Sequence, residues 1–326
     1  MSASVTAPRI AVVGSANADL TVRVPHVPRP GETVLGGDLT TAPGGKGANQ
    51  AVAARRLGAA VSLIACLGTD EFGDALAEKL AQEGLRLNYL RRVPDATTGV
   101  ALVAVDPDGQ NSIAVAPGAN ARLSVEDVDR AEPALRTAQA VLAQLEVPLA
   151  AVRQAFTLAR AARAITVLNP APRRPLADAL VGLVDVLVCN EFEAEALVGG
   201  PVVGSAQAVV AAAGALLRRG PRLVVITRGR LGCVVAEPAG VRALAAFDVP
   251  AVDETAAGDA FIGALACRLA LGEATLAAAR YASAAAAIAV GREGAQPSLP
   301  TAEEVEDFLA VHPPARDGVD RSGIGP

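Results

Sequence analysis

Short apolar runs, each closed by a glycine or a polar residue, alternate along most of the chain with longer segments of helical spacing. Residues 9–14 (RIAVVG) form a β-branched run ending at Gly14, the pattern of a buried first strand that feeds a loop. From residue 20 to about 41, prolines and glycines punctuate two alternating pieces, TVRV and ETVLGGDLTT, which predict short exposed strands. Gly44 and Gly45 then precede a helix over 47–57 that Gly58 stops. A buried strand is expected over 60–66 and a helix over 70–83. Residues 98–105 and 111–116 flank Asp106-Pro107-Asp108-Gly109, the composition of a hairpin turn.

From residue 124 the rhythm becomes regular. The pattern predicts a helix over 125–138, a strand over 141–145, a helix over 149–162 and a strand over 164–168. A strand over 184–189, helices over 191–197 and 206–219 and a strand over 223–227 follow. Such alternation predicts an α/β fold with a mostly parallel sheet covered by helices on both faces. The strand-like pieces at 20–41 and 98–116 break the rhythm and read as a small β lid inserted into the α/β body. The polar, Gly- and Pro-rich tail, 312–326, is expected to be disordered.

Composition narrows the picture. With 326 residues, 52% of them hydrophobic and 19% charged, the chain can bury a large core, which excludes disorder of the whole. The net charge of −5, without a basic block, argues against nucleic acid or an anionic membrane as partner. No apolar run reaches the roughly 18 residues of a membrane span, and no leader precedes the first strand, so a cytoplasmic protein is expected. Cys66, Cys189, Cys233 and Cys267 lie far apart and read as small buried hydrophobes. His26 and His312 have no partner at ligand spacing, which leaves zinc and histidine triads without support. Lysine occurs at positions 46 and 79 alone and asparagine at seven positions, so the surviving Lys and Asn residues are worth locating first.

In open α/β sheets ligands bind beyond the carboxyl ends of the strands. Polar groups collect there. Ser15, Asn17 and Asp19 follow the first strand, and Gly44-Gly45-Lys46-Gly47-Ala48-Asn49 opens the first helix. Glu146, Asn169 and the pair Asn190 and Glu193 follow successive strands, then Thr227-Arg228-Gly229-Arg230-Leu231-Gly232. Singly these read equally well as a turn, a helix lead-in, a solvated helix carboxylate and a hairpin. The sharpest piece is Asp253-Glu254-Thr255-Ala256-Ala257-Gly258-Asp259. Small residues at a helix start leave N–H groups and the positive dipole end open to an anion, with the Asp259 carboxylate alongside. A plain capping aspartate is the alternative. An anion hole beside a carboxylate base suits phosphoryl transfer to a hydroxyl. Neither GxxxxGK[ST] nor a GxGxxG after the first strand occurs, which argues against a P-loop enzyme and a dinucleotide oxidoreductase.

Together, Gly44 to Asn49 and Ala256 to Asp259 resemble the two signatures of the PfkB carbohydrate kinase family, and within it the match is closest to the ribokinases. Supporting stretches run in order over nearly the whole chain: Asn17-Ala18-Asp19, Pro30 to Thr33, Gln144 to Glu146, Asn169 to Pro172, Asn190-Glu191 and Gly294 to Ser298. The resemblance implies a ribokinase-like three-layer αβα sandwich over 9–311, with the lid strands inserted. It implies transfer of the ATP γ-phosphate to O5 of D-ribose, with Asp259 as general base and Ala256, Ala257 and Gly258 as anion hole. Asn17, Asp19, Gly45, Lys46, Asn49 and Glu146 would hold the sugar. Asn190 and Glu193 would act near Mg²⁺ and the ATP phosphates, and Thr227, Arg228, Gly229, Arg230, Leu231, Gly232, Gly258 and Ser283 would line the nucleotide site. A monovalent cation, K⁺, would sit at Asp253, Thr255, Ala289, Arg292, Gly294 and Ser298. Glu254, Ser283 and Gly291 depart from the family's usual residues. A kinase of deoxyribose, a ketohexose or a nucleoside is the rival in the same class, although 2% aromatic residues offers little for stacking a nucleoside. A non-catalytic sugar sensor is the rival of another class. The exposed lid strands would leave an open sheet edge, so a homodimer with packed lids is expected.

Overall fold

The computed structural model describes residues 7–107 and 111–312. The expected tail from residue 313 on and the centre of the 106–109 turn lie outside the described residues. Strands β1 (Arg9–Val13), β2 (Asn17–Arg23) and β3 (Leu39–Gly44) lead into helix α1 (Lys46–Arg56). There follow β4 (Ala60–Gly68), α2 (Glu71–Gln82), β5 (Arg86–Val93), β6 (Gly99–Val105) and β7 (Asn111–Ala116). The next unit is α3 (Val125–Arg130), α4 (Glu132–Thr137), β8 (Ala140–Ala143), α5 (Leu149–Ala161) and β9 (Ile165–Leu168). It continues through α6 (Asp178–Val181), β10 (Val186–Asn190), α7 (Glu191–Val198), α8 (Ala206–Leu217) and β11 (Leu223–Thr227). Strands β12 (Cys233–Glu237) and β13 (Gly240–Leu244) precede α9 (Ala257–Ala270), α10 (Thr275–Val290) and α11 (Ala302–Val311).

Among the described residues two sheets form. The larger has the order β13-β12-β11-β10-β9-β8-β1-β4-β5, parallel from β11 to β5, with β12 and β13 added antiparallel. Residues alternate between its faces, so each strand feeds two cores. Ile10 and Val12 join the cluster under α1, α9 and α10, while Ala11 and Val13 join the one under α5 and α8. Continuous apolar runs are what a sheet covered on both faces requires. The smaller sheet, β3-β2-β6-β7, is the lid. It starts at Asn17 rather than at residue 20, and the stretch from 24 to 38 contributes no strand.

Several elements differ from the pattern's expectation. The helix over 125–138 is broken at Ala131, where a second helix begins with Pro133 in its first turn. Proline is tolerated there because first-turn N–H groups have no helical partner. Strand β5 (RLNYLRRV) lies at the sheet edge, so its apolar positions are interrupted by arginines and the run carries no buried-strand signal. All four cysteines are buried and unpaired.

Chain order places the site. β1 sits between β8 and β4, so the connections leave it in opposite directions and open a crevice beyond its carboxyl end. Helix α1 packs over that crevice, and α9 lies against α1. The approach is close because residue 263 is glycine. A Cβ there would stand 2.7 Å from Ala53 Cβ and 3.0 Å from both Ala54 N and the Gln50 carbonyl oxygen. Gly263→Val should therefore separate the two helices and destabilise the fold by about 1–3 kcal/mol, seen as a lowered Tm in thermal unfolding. An unchanged Tm would show that the crossing has slack.

Candidate active site

A cavity of ≈ 220 Å³ opens at the carboxyl ends of the strands, lined among others by Lys46, Asn169, Glu193, Thr227, Glu254 and Asp259. Asp259 lies in the first turn of α9 and is buried. Asn49 Nδ2 donates to its Oδ2 at 3.1 Å and Gln50 Nε2 to its Oδ1 at 2.9 Å. Burial pushes the Asp259 carboxyl above its ordinary range, and Lys46 with these two amides pulls it back only in part. A base with a raised pKa binds a proton more readily at neutral pH.

Ala256 caps α9 in the left-handed region at φ 59°, a conformation that costs an alanine roughly 1–2 kcal/mol. The turn carries Ala256 and Gly258 to the cavity wall. The Ala257 N–H donates to the Glu254 carbonyl at 3.3 Å. Here the sequence leaves space around a helix N-terminus, whose first N–H groups have no partner in the helix.

The residues expected to hold the sugar converge from the lid, α1 and the loop after β8. Asn17 begins β2, and its Oδ1 accepts from Asn120 Nδ2 at 2.7 Å. Asp19 lies two residues on, on the same strand face, with room for its carboxylate because Gly44 has no Cβ; one there would fall 2.0 Å from Asp19 Oδ2. Asp19 Oδ1 is buried without a hydrogen-bond partner. Gly45, at φ 86°, supplies the turn into α1. The Lys46 N–H donates to Glu146 Oε2 at 3.2 Å, and Ser15 Oγ donates to the same oxygen at 2.5 Å. These two bonds tie the loops after β1 and β8 to the start of α1. Burial pulls the Lys46 ammonium down, but Asp259, Glu146, Glu193 and Asp19 outweigh it and hold it above its ordinary value.

On the opposite side, Asn190 and Glu193 form a capping box on α7: Glu193 N–H donates to Asn190 Oδ1 at 2.8 Å and Asn190 N–H to Glu193 Oε2 at 2.9 Å. Burial pushes Glu193 up, opposed by the Asn190 N–H and Lys46. Thr227 ends β11 at the cavity wall, whereas Gly229, Arg230 and Leu231 form the turn that hairpins β11 to β12. Arg228 is paired with Glu191 at 3.2 Å and Gly232 closes that turn. Ser283, on α10, donates back to the Ala279 carbonyl.

The expected cation residues come together from two loops. Asp253 Oδ1 accepts from Thr255 N–H and Oδ2 from Gly294 N–H, each at 2.9 Å, and Val252 and Asp253 N–H both donate to the Val290 carbonyl. Ala289 lies in the last turn of α10, where its carbonyl accepts from the Arg292 N–H, Ser298 Oγ donates to the Ala295 carbonyl, and the Arg292 guanidinium is held by Glu304. Both Asp253 oxygens are thus held by main-chain N–H groups, which ties the loop after Val252 to the loop after α10. Among the described residues no cluster of His, Cys, Asp and Glu could by itself hold a metal. The site also uses residues that spacing did not single out as ligands: Ser15, Gln50, Asn120, Gln144 and Gln296, the last donating to Asn49 Oδ1 at 3.2 Å. The scarcity of asparagine pointed toward Asn120, and Gln144 and Gln296 lay in stretches that carried the family resemblance without a role of their own; nothing distinguished Gln50.

Residues 7–302 match the model of the pfkB family carbohydrate kinases, and the chain belongs to that family. It is 41% identical over 300 residues to a ribokinase of Haemophilus influenzae, covering 92% of this chain and 98% of that one. A deoxyribokinase of Salmonella typhi is 36% identical over 304 residues, covering 93% and 99%. The structure of an Arabidopsis thaliana ribokinase with ribose and ATP superposes with a TM-score of 0.85 at 32% identity, over 93% of this chain and 99% of that one. The α/β sandwich with its small second sheet is thus the family's.

Asp19 yields a prediction from charge alone. Burial, with help from Glu146 and Asp259 and against Lys46, pushes its carboxyl from 3.8 to about 7. The folded state therefore holds a proton that the unfolded chain has released. That penalty is absent below pH 3.8, builds as pH rises and is complete above about pH 7. Asp19→Asn should unfold at a higher temperature than the parent above pH 7, with the gain fading toward pH 4. A gain that grows as pH falls would overturn this.

Proposed function

We propose that this chain is an ATP-dependent ribokinase, transferring the γ-phosphate of ATP to the 5-hydroxyl of D-ribose to give D-ribose 5-phosphate and ADP. The observation that carries this is the buried Asp259 carboxylate at the N-terminus of α9, with Asn49 and Lys46 on the sugar side and Glu193, Asn190 and Thr227 across the cavity. Asp19 and Glu146 accept hydrogen bonds from the sugar hydroxyls, Asn17, Lys46 and Asn49 donate to them, and Gly45 lets the backbone approach. Asp259 takes the proton of the attacking hydroxyl as its oxygen bonds to phosphorus. The α9 N-terminus, through Ala256, Ala257 and Gly258, meets the charge that grows on the transferring phosphoryl oxygens.

ATP lies along Thr227, Arg228, Gly229, Arg230, Leu231 and Gly232, with its base toward Ser283. Glu193 and Glu254 bring carboxylates to the cavity, a donor set that suits Mg²⁺. Bound with the nucleotide, Mg²⁺ neutralises phosphate charge, and Asn190 and Glu193 are the residues that would hold it. Asp253, Thr255, Ala289, Arg292, Gly294 and Ser298 would hold K⁺, several through carbonyl oxygens. No helix among the described residues is long and apolar enough to cross a membrane, in keeping with the cytoplasmic location we propose.

The sugar is the point on which the relatives divide, so a panel of ribose, deoxyribose, ketohexoses and nucleosides, with ADP release coupled to detection, is the test. Highest kcat/KM for ribose, increased by K⁺, is expected; preference for deoxyribose would move the chain to the deoxyribokinases, and sugar binding without transfer would make it a sensor. Asp259→Asn should lower kcat by about 10² to 10⁴. Undiminished turnover would remove Asp259 as the base.

The lid leaves Leu39 and Leu102 exposed on the face opposite Asp19. A second copy packed there would cover them and the sheet edge. Sedimentation should give a dimer at micromolar concentration, and Leu102→Asp should give monomers; a monomeric parent would refute the packed lids.

A further inference from the structure

Asp259 has two oxygens, and its carboxylate plane turns about a soft terminal torsion with no single preferred setting. Proton transfer needs that plane fixed. Asn49 holds Oδ2, but Asn49 is also a sugar-side residue in the function proposed above. The bond to Oδ1 comes from Gln50, which is 0% exposed and does not line the cavity.

A glutamine amide can present either end, and only its NH₂ end can bond a carboxylate. In this protein the choice is made by a second glutamine. Gln144 Nε2 donates to Gln50 Oε1 at 2.5 Å, so the oxygen end of Gln50 is engaged and its NH₂ end faces Asp259. Gln144 lies one residue past β8 and is likewise 0% exposed. It stands two residues before Glu146, so one short loop orients both the sugar-side carboxylate and, through Gln50, the base. Gln50 Nε2 also lies 3.5 Å from Asn169 Oδ1, and Asn169 Nδ2 lies 3.4 Å from Glu193 Oε2. The amides thus run from the base toward the phosphate side of the cavity.

We infer that Gln50, oriented by Gln144, is a positioning residue that fixes the plane of the Asp259 carboxylate for proton transfer. It touches neither sugar nor nucleotide. The inference rests on Asp259 being the base. It follows that losing Gln50 lowers the rate of transfer while leaving sugar binding nearly intact. Loss of an N–H donor to the carboxylate also makes the anion harder to form.

The test is steady-state kinetics of the full chain with its preferred sugar, between about pH 5 and 9. The enzymes compared are the parent, Gln50→Ala, Gln144→Ala, Asp259→Asn and the Gln50→Ala, Asp259→Asn double variant. Gln50→Ala should lower kcat by about 10- to 100-fold, the scale of a misplaced reacting group. Its KM for the sugar should stay within about threefold, and the acid limb of its kcat profile should move to higher pH. Gln144→Ala should shift both in the same direction by less, and it decides the matter if Gln50→Ala does not fold. In the Asp259→Asn background Gln50→Ala should cost nothing more, because the group it positions is gone. An unmoved acid limb, a KM that rises in step with the fall in kcat, or a full further loss in the Asp259→Asn background would each overturn the positioning role. Undiminished turnover of Asp259→Asn would instead overturn the base itself, whatever Gln50→Ala does.

Discussion

Helix α1 reaches Asp259 only because α9 carries no side chain at residue 263. With Gly263 against Ala53, Ala54 and the Gln50 carbonyl, two helices from opposite ends of the chain meet at backbone distance. Asn49 and Gln50 on one then span to Asp259 on the other across 210 and 209 residues of sequence. The two bonds that hold the Asp259 carboxylate depend on that crossing. Further apart, the carboxylate would be buried without partners, a state whose cost falls in the range of several kcal/mol. The alanine-rich faces of α1, α9 and α10 belong to the same constraint, since small side chains allow three helices to share one layer.

The charge pattern has a physical logic. Lys46 stands among Asp19, Glu146, Glu193 and Asp259, so the cavity is acidic around its ammonium. Such a set favours hydroxyl donors on the sugar side. In the proposed function it leaves the phosphates to be met by the α9 N-terminus and by metal ions rather than by arginines. That accounts for a nucleotide-binding protein with a net charge of −5. Elsewhere, Arg56 and Arg219 each join separate elements by forked contacts that a lysine would not reproduce.

The body of the fold could be read from strands that were apolar on both faces, because burial there leaves a continuous signal. Strand β5 could not, since an edge strand rich in arginine looks like a polar loop. Nor could the break at Ala131, which depends on how α3 and α4 pack. In the site, Asp259, Lys46 and Asn49 stood out because chemistry and spacing coincided. Gln50 did not, and Gln144 was marked only as part of a stretch that carried the family resemblance. A buried amide is indistinguishable in sequence from a surface one, and the partner that gives Gln50 its meaning, Gln144, lies 94 residues away. The turn after Thr227 is a hairpin in form, with Thr227 itself on the cavity wall.

Asn17 and Asp19 belong to the lid, not to the body: both lie on β2, paired with β3 on one side and β6 on the other. Lys46, Asn49 and Asp259 belong to the body. With Asn17 and Asp19 holding the sugar as proposed, any tilt of the small sheet drags two of its ligands with it, and a sugar that spans both sets clamps the sheet in one orientation. Ligand occupancy and the attitude of the lid are then a single mechanical coordinate. If two copies join through their lids, that coordinate is shared across the interface, and a sugar seated in one subunit is felt as a torque in the other.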